Sequence, residues 1–287
     1  MSLRREEQGL LNTHVGWGEV EHHLRTALNT SATLGPAKTI KQIGEGFGYL
    51  FQIGIVQADW KGTESEAKLP GQFLIKAHNA EATFYEFVRP FSQAMRLPKC
   101  YCSVKLSKQN ESSGVLAIEY FEGVKVPRAY DFMTVEQVKD VARELGKLQA
   151  LSYRSGVNQV FALTKHMDPF TKLKLLELLP LYINSNLPAT LHLQLGFTPV
   201  IANGDFSTSN LLIDAKTQAI RSIIDWQLVH LSCGGQDLLQ LAFSAMSNEQ
   251  RREYIEEIQD DLYESLVENM EGGTPPYTRE ELRLTSQ

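Results

Sequence analysis

The stretch that decides the fold is "NGDFSTSNLLID", residues 203–214. It places a carboxylate at Asp205 and a carboxamide at Asn210, directly before an apolar run. Asp205 can accept or orient the proton of an attacking hydroxyl group, and Asn210 offers a carbonyl oxygen that suits Mg²⁺. The stretch is also rich in residues that form turns, so an ordinary loop is the alternative when it is considered alone.

A second carboxylate, Asp225, ends the apolar stretch of "SIIDWQ" further along the chain. A carboxylate in this position is either a capping or turn residue or a metal ligand at the end of a strand. Two apolar runs flank a polar turn in "NLLIDAKTQAIRSIID", residues 210–225, and this pattern predicts a β-hairpin.

Upstream, "IGEGFGYLFQI" places Gly44, Gly46 and Gly48 between two strand-like runs. Glycines allow backbone N–H groups to approach phosphate oxygens without a Cβ in the way. A simple glycine-rich turn explains the same pattern. The stretch is not a dinucleotide-binding fingerprint, because no helix follows it, and it lacks the G-K-[ST] of a Walker A loop.

Lys76 lies within the apolar strand-like stretch "FLIKAHN", residues 73–79. A lysine in such a strand is costly to bury unless its charge has a partner. Either Lys76 points to water from an edge strand, or its ammonium group is held over the phosphates of a nucleotide. The helix predicted next along the chain offers Glu81 and Glu86 as carboxylate partners.

Roughly the first 120 residues are rich in strand-like runs, whereas the remainder is mostly helical with one hairpin. Thr134 with Gln137, and Ser247 with Gln250, form capping boxes at the start of two long helices. Strands and helices do not alternate, which argues against a doubly wound parallel sheet. We therefore predict an α+β protein.

The order of the motifs defines the predicted organisation. A glycine loop, a strand lysine, a helix glutamate, an Asp-x4-Asn loop and a final aspartate follow the layout of protein-kinase-like phosphotransferases. This predicts a two-lobed fold, with an N-lobe at residues 1–118, a hinge at 119–124 and a helical C-lobe at 125–287.

Bulk composition excludes several classes of function. The 287 residues are 43% hydrophobic and 22% charged, as expected for a globular protein. The net charge of -6 gives no indication of a nucleic-acid partner. No apolar stretch is long enough to span a membrane, and the N-terminus lacks the apolar core of a signal peptide. We expect a cytoplasmic protein without a membrane partner; the sequence does not set its oligomeric state.

Cysteine and histidine usage adds no site. Cys100, Cys102 and Cys233 form neither a disulfide framework nor a CxxC motif, so we expect reduced, structural cysteines. The seven histidines show no metal-binding pattern.

The chain resembles the small-molecule phosphotransferases typified by choline kinase and aminoglycoside phosphotransferase. It is most similar to the CHK kinase-like group, which includes ecdysteroid-kinase-like proteins and an uncharacterised nematode family. The resemblance runs through most of the chain and includes "GLLNTHVGWGEVE", "KLPGQFLIKAHN", "EATFYEF", "NGDFSTSNLLI", "IIDWQLVH" and "GGQDLLQLAF". It implies an enzyme that transfers the γ-phosphoryl group of ATP, with Mg²⁺, to a hydroxyl group of a small molecule.

The resemblance also implies roles for residues of the N-lobe and hinge. The loop from Gly44 to Gly48 would cover the triphosphate, and Lys76 would bind the α- and β-phosphates. Glu81 would be the partner of Lys76, with Glu86 as the alternative. Backbone groups of the hinge would hold adenine, at Glu119, Tyr120 and Phe121.

In the C-lobe, the resemblance makes Asp205 the catalytic aspartate and makes Asn210 and Asp225 the Mg²⁺ ligands. Asp237, in "GGQDLLQLA", resembles a structural aspartate that opens the next helix. Gln227 matches the "DWQ" of the family without a role that the sequence defines.

Two departures from the family pattern concern activity. Asn203 stands where relatives usually have a histidine that braces the catalytic loop against the metal-binding segment. Asparagine also donates and accepts hydrogen bonds, but it is shorter, which predicts weaker support. The segment before the catalytic loop is short, and the chain stops where relatives add helices, so we expect either a truncated C-lobe or a reduced acceptor site. A catalytically weak or inactive kinase-like binding module, in a larger multidomain protein, is the alternative function.

Overall fold

The structure is a computed structural model that describes residues 9–13, 15–43, 53–62, 69–76, 80–104, 114–128, 131–156 and 192–285. Two compact units divide the chain: unit 1 comprises Met1–Arg89 and Pro98–Glu122, and unit 2 comprises Pro90–Leu97 and Gly123–Gln287. The predicted phosphate-covering glycines, Gly44, Gly46 and Gly48, lie outside the described residues.

Unit 1 is built on a five-stranded antiparallel sheet. The strands, in the spatial order β2-β3-β5-β7-β6, are β2 (Thr39–Ile43), β3 (Ile53–Gln57), β5 (Gln72–Lys76), β7 (Val115–Glu119) and β6 (Cys100–Val104). A separate short pair joins β1 (Thr33–Leu34) to β4 (Trp60–Lys61). Buried strand residues such as Val56, Phe73 and Ile75 form the core of the unit.

Two helices pack on this core. Val20 and Leu24 of α1 (Trp17–Leu28) are fully buried, because residues four apart share one helix face. Helix α2 (Ala80–Val88) ends two residues before Pro90, a residue type that disrupts a continuing helix. The Ser103 hydroxyl of β6 donates a hydrogen bond to the carbonyl oxygen of Ala82 at 3.0 Å and so ties α2 to the sheet.

Unit 2 centres on the pair of long helices α3 (Val135–Arg154) and α5 (Asn248–Asn269). Both begin with the predicted capping boxes, in which the side chains of Thr134 and Ser247 accept hydrogen bonds from backbone N–H groups. The pair is closely packed at Gly146, since a Cβ built there would lie 2.1 Å from the carbonyl oxygen of Leu262. Ion pairs also join the two helices, including Arg143 with Asp261 at 2.8 Å.

The remaining elements of unit 2 carry the candidate site. The predicted hairpin is present as β10 (Leu211–Asp214) and β11 (Ile220–Ile223), and β8 (Val124–Lys125) pairs with β10. Strand β9 (Val200–Ala202) pairs antiparallel with β12 (His230–Ser232). Two further helices follow, α4 (Gln236–Ala245) and α6 (Arg279–Leu284). A strand-rich unit and a mainly helical unit confirm the predicted α+β fold class.

The segment Pro90–Leu97 groups with unit 2, although the sequence placed it in the N-lobe. Arg96 explains this. Its guanidinium group binds Asp140 on α3, and its backbone N–H donates to the Glu144 carboxylate at 2.6 Å. Its carbonyl oxygen accepts from the backbone N–H of Ile223 at 2.9 Å. The lobe and hinge boundaries at 118 and 124 stay predictions.

Cys100, Cys102 and Cys233 are free thiols, as predicted. Burial raises the pKa of the Cys102 thiol to about 12 and that of Cys100 to about 11, so both are protonated at neutral pH. Within the ranges that the structure describes, no helix has the length and apolar character needed to cross a membrane.

Candidate functional site

Lys76 is buried in unit 1 and paired. Only 7% of the residue is exposed, and its ammonium nitrogen lies 2.7 Å from the carboxylate of Glu81, which is 3% exposed. Strand β5 runs between β3 and β7, so the alternative of a solvated edge-strand lysine does not hold. The salt bridge uses Glu81, in the first turn of α2, rather than the exposed Glu86 that the sequence offered as the alternative.

The predicted hinge follows the end of β7. Glu119 is the last residue of that strand; its backbone N–H donates to the carbonyl oxygen of Lys99 at 2.8 Å, and its carboxylate accepts from the Lys99 N–H at 3.1 Å. Tyr120 and Phe121 are half-buried and lie outside regular secondary structure. The N–H of Glu119 is therefore already engaged, and the role of residues 119–121 in holding adenine stays a prediction.

The Asp205 loop in unit 2 runs from the end of β9, through a 3-10 turn at Thr208–Asn210, into β10. Gly204 has φ +87°, a conformation that side-chain-bearing residues rarely adopt. A Cβ at this position would also lie 2.5 Å from the carbonyl oxygen of Leu228. The sharp turn before Asp205 therefore requires glycine.

Asn203 connects this loop to the segment that carries Asp225. The side chain is fully buried, and its amide nitrogen donates to the carbonyl oxygens of Asp225 at 3.0 Å and Ile224 at 3.4 Å. Its amide oxygen accepts from the backbone N–H of Asp205 at 3.1 Å. Asn203 thus makes hydrogen bonds both to the Asp205 loop and to the segment that carries Asp225, the two parts that the sequence analysis expected a residue at this position to connect. That asparagine supports the catalytic loop less firmly than histidine would stays a prediction.

Asn210 and Asp225 lie beside Asp205. The amide nitrogen of Asn210 donates to the carbonyl oxygen of Asp205 at 2.6 Å, which fixes the amide oxygen as the atom that a cation would use. The backbone N–H of Ile224 donates to the carbonyl oxygen of Asn210 at 3.0 Å and so brings the two segments together. The structure therefore assembles the three residues that the sequence singled out in unit 2.

Asp225 has φ +63°, in the left-handed region. This conformation costs roughly 1–2 kcal/mol for a residue with a Cβ, and such strain concentrates at functional sites. The amide nitrogen of Gln227 lies 3.5 Å from the Asp225 carboxylate. The turn that presents Asp225 is thus held in an unfavourable conformation by its surroundings, including the carbonyl contact from Asn203.

The electrostatics of the site favour a cation. The loop partly withdraws the carboxylate of Asp205 from water, and this raises its pKa; the nearby negative charge of Asp225 raises it further, and the hydrogen bond from Asn210 lowers it. Two carboxylates and a carboxamide oxygen form an oxygen-rich donor set of the kind that Mg²⁺ prefers. Among the described residues, no group of three or more His, Cys, Asp or Glu side chains forms a metal cluster.

Asp237 binds the backbone at the start of the Asp205 loop. The residue is 1% exposed, and its carboxylate accepts from the backbone N–H groups of Asn203 at 2.7 Å and Gly204 at 3.1 Å. Burial raises the pKa of Asp237, whereas these N–H donors and the nearby His230 oppose that effect. Its place in the first turn of α4 agrees with the structural role that the resemblance implies.

Sequence reasoning missed two further contacts of α4. The side chain of Gln240 bonds to the backbone of Gly204 and Phe206, and the hydroxyl of Ser244 accepts from the N–H of Thr208 at 3.2 Å. The available signal was the spacing of these polar residues after Asp237 in an otherwise apolar helix.

Two solved structures with a similar fold are described as small-molecule phosphotransferases or kinases. A protein of Ralstonia eutropha JMP134 described as a "putative aminoglycoside phosphotransferase" matches 86% of this chain and 79% of its own, with 12% identity and a TM-score of 0.54. The ethanolamine kinase of Plasmodium vivax matches 99% of this chain and 92% of its own, with 13% identity and a TM-score of 0.50. The chain therefore has the two-lobed, protein-kinase-like fold of small-molecule phosphotransferases, as predicted.

The chain belongs to the family DUF1679, described as "Uncharacterized oxidoreductase dhs-27", whose model matches residues 3–77, 71–169 and 161–286. No curated protein matches the chain. The family description contains the word oxidoreductase, and many oxidoreductases bind a dinucleotide on a parallel sheet. In the described residues every pair of strands is antiparallel. A dinucleotide-binding unit would require parallel strands joined by a helix.

Proposed function

We propose that the protein is a small-molecule kinase, which transfers the γ-phosphoryl group of ATP to a hydroxyl group with the help of Mg²⁺. The observation that carries this proposal is the meeting of Asp205, Asn210 and Asp225 at one place in unit 2. Asp225 lies 15 residues after Asn210 in the sequence, and the fold brings its strained backbone turn beside the Asp205 loop. The acceptor is a small molecule whose identity the site does not specify.

The roles within unit 2 follow from position and charge. Asp225 and the amide oxygen of Asn210 hold Mg²⁺, which supplies charge neutralisation at the phosphates when it is bound. Asp205 orients the attacking hydroxyl group and accepts its proton. A carboxylate whose pKa is raised by burial and by Asp225 is a better proton acceptor than an ordinary aspartate.

Lys76 is the nucleotide-binding residue of unit 1. A buried ion pair contributes little net stability, because removing both charges from water costs about as much as their attraction returns. The Lys76–Glu81 pair is therefore better explained by a binding role, in which Glu81 fixes the ammonium group that contacts the α- and β-phosphates. Backbone groups at Glu119, Tyr120 and Phe121 hold adenine.

The alternative is a binding module without catalytic activity, for which Asn203 was the main reason. The contacts of Asn203 weaken that reason, because its amide group binds both the Asp205 loop and the Asp225 turn. The residues with proposed chemical roles in unit 2 are all present. We therefore favour an active enzyme.

The test is turnover of radiolabelled ATP by the full chain, with Mg²⁺ and a panel of alcohols, sugars and amino alcohols as acceptors. Asp205→Ala should abolish phosphoryl transfer and leave ATP binding intact, since the residue acts on the acceptor rather than on the nucleotide. Lys125→Ala is the matched control, because Lys125 lies on β8 and its ammonium group contacts the exposed hairpin residue Gln218. Turnover by Asp205→Ala at the wild-type rate would refute the assignment.

A further inference from the structure

One face of α4 runs along the Asp205 loop and binds its backbone. Asp237, Gln240 and Ser244 are spaced by three and four residues, so they project from the same side of the helix. Asp237 accepts hydrogen bonds at the start of the loop, and Ser244 accepts one at Thr208. The loop therefore lies against a row of polar side chains on one helix.

Gln240, in the middle of this row, contacts both neighbours of Asp205. Its amide oxygen accepts from the backbone N–H of Phe206 at 3.0 Å, and its amide nitrogen donates to the carbonyl oxygen of Gly204 at 3.4 Å. A single carboxamide thus holds the peptide groups before and after the catalytic candidate. A carboxylate side chain could not make both contacts, because it has no donor.

The contacts of Gln240 matter because Gly204, the residue before Asp205, has an unusual backbone conformation. Gly204 has φ +87° and the wide backbone freedom of glycine, so the chain on that side of Asp205 has little intrinsic preference for the observed turn. Phe206 is fully buried and fixes the other side. The carbonyl oxygen of Gly204 is held by Gln240, so the direction of the Asp205 side chain depends on that amide group.

We propose that Gln240 is a positioning residue, which sets the direction of the Asp205 carboxylate by holding the two peptide groups that flank it. The proposal rests on the function proposed above, since it assumes that Asp205 acts on the acceptor. The side chain of Gln240 acts through the backbone of the loop, at Gly204 and Phe206. Its loss should therefore lower the rate of transfer without weakening the binding of ATP.

Gln240→Leu removes both hydrogen bonds at similar side-chain size. We expect kcat for Mg²⁺-dependent ATP turnover to fall about 10- to 100-fold, because small errors in the placement of a reacting group cost this much. The KM for ATP should stay within about twofold, since that binding energy is not touched. Gln240→Glu retains an acceptor for the Phe206 N–H and loses the donor to Gly204, so its kcat should lie between those of wild type and Gln240→Leu.

The matched control is Gln236→Leu. Gln236 lies one helical turn earlier on α4, and its amide group contacts Ser232 and His230 rather than the Asp205 loop. This variant removes an amide of the same kind from the same helix and should keep the wild-type kcat. Equal losses in Gln236→Leu and Gln240→Leu would indicate a general effect on α4 and would overturn the proposal.

A measurement that needs no ATP turnover tests the role of Gln240 independently of the proposed kinase activity. Hydrogen exchange of the backbone N–H groups, followed by NMR in ¹⁵N-labelled protein, reports directly on how firmly the loop is held. In Gln240→Leu the N–H groups of Phe206 and Asp205 should exchange faster with solvent, because the loop is no longer held. The Asp205 N–H donates to Asn203 rather than to Gln240, so it reports on the loop and not only on the lost hydrogen bond. Both signals should respond even if wild-type protein has no ATP turnover, a result that would refute the kinase proposal alone. Unchanged exchange of both N–H groups would refute the role of Gln240.

Discussion

Gly146→Ala tests the packing on which unit 2 depends. In most helices this change is favourable by roughly 0.5–1 kcal/mol, because alanine loses less backbone freedom on folding. Here the added methyl group would lie 2.1 Å from the carbonyl oxygen of Leu262 and 2.9 Å from the backbone nitrogen of Leu266. Both obstacles are backbone atoms of α5, so they cannot move aside as the end of a side chain would.

The magnitude follows from that geometry. Ordinary contact begins near 3.4 Å, so α3 and α5 must separate locally by about 1.3 Å, and overpacking of this kind costs roughly 1–3 kcal/mol. The separation would also loosen buried neighbours, among them Leu145 and Leu262. After the gain in helix propensity is subtracted, we expect the free energy of unfolding to fall by about 1–2 kcal/mol.

The assay is chemical denaturation of the full chain, followed by circular dichroism, with Gly18→Ala as the matched control. Gly18 lies on the exposed side of α1, and a Cβ there would meet nothing within 4 Å. The same substitution should therefore be neutral or stabilising by up to about 0.5–1 kcal/mol at Gly18. Gly146→Ala as stable as wild type would refute the close approach of α3 and α5.

Three further predictions concern the site. Lys76→Met should lower the free energy of unfolding by about 3–5 kcal/mol, because it leaves the Glu81 carboxylate buried without its cation; the double variant with Glu81→Leu should regain much of that stability in denaturation without regaining ATP binding. Asp205→Asn should raise the melting temperature at pH 7. The folded state raises the pKa of Asp205, so above that pKa the ionised carboxylate destabilises the folded protein. The stability gained by Asp205→Asn should therefore disappear as the pH falls below that pKa. A gain that persists in acid would show that it does not come from the ionisation of Asp205. Asn203→Leu should cost about 1–3 kcal/mol in denaturation, because the backbone partners at Asp205 and Asp225 lose their hydrogen bonds, whereas wild-type stability would show that the brace contributes nothing.

Local sequence patterns predicted much of the fold. The capping boxes at Thr134 and Ser247 and the 210–225 hairpin each depend on residues that are close in the chain. The grouping of Pro90–Leu97 with unit 2 was not predicted. Arg96 joins that segment to α3 and β11 through partners that are distant in sequence, which no local pattern indicates.

The candidate site was likewise predictable only in part. Residue types and order identified Lys76, Asp205, Asn210 and Asp225, because phosphoryl transfer requires a cation and oxygen ligands in recognisable places. The choice of Glu81 over Glu86 needed the structure, since both lie on the same short helix. The contacts of Gln240 also needed the structure, because the spacing of polar residues after Asp237 marks one side of α4 but not how that side lies along the loop.

The most direct test of the central claim is a thermal-shift titration of wild type and Asp225→Asn with ATP, in the presence and absence of Mg²⁺. A ligand that binds only the folded state must stabilise it, by about 2.7 kcal/mol at a concentration one hundred times its Kd. We predict a Mg²⁺-dependent rise in the melting temperature of wild type that Asp225→Asn lacks. No rise with millimolar ATP, or an equal rise in both proteins, would contradict the assignment of this site to Mg²⁺ and nucleotide.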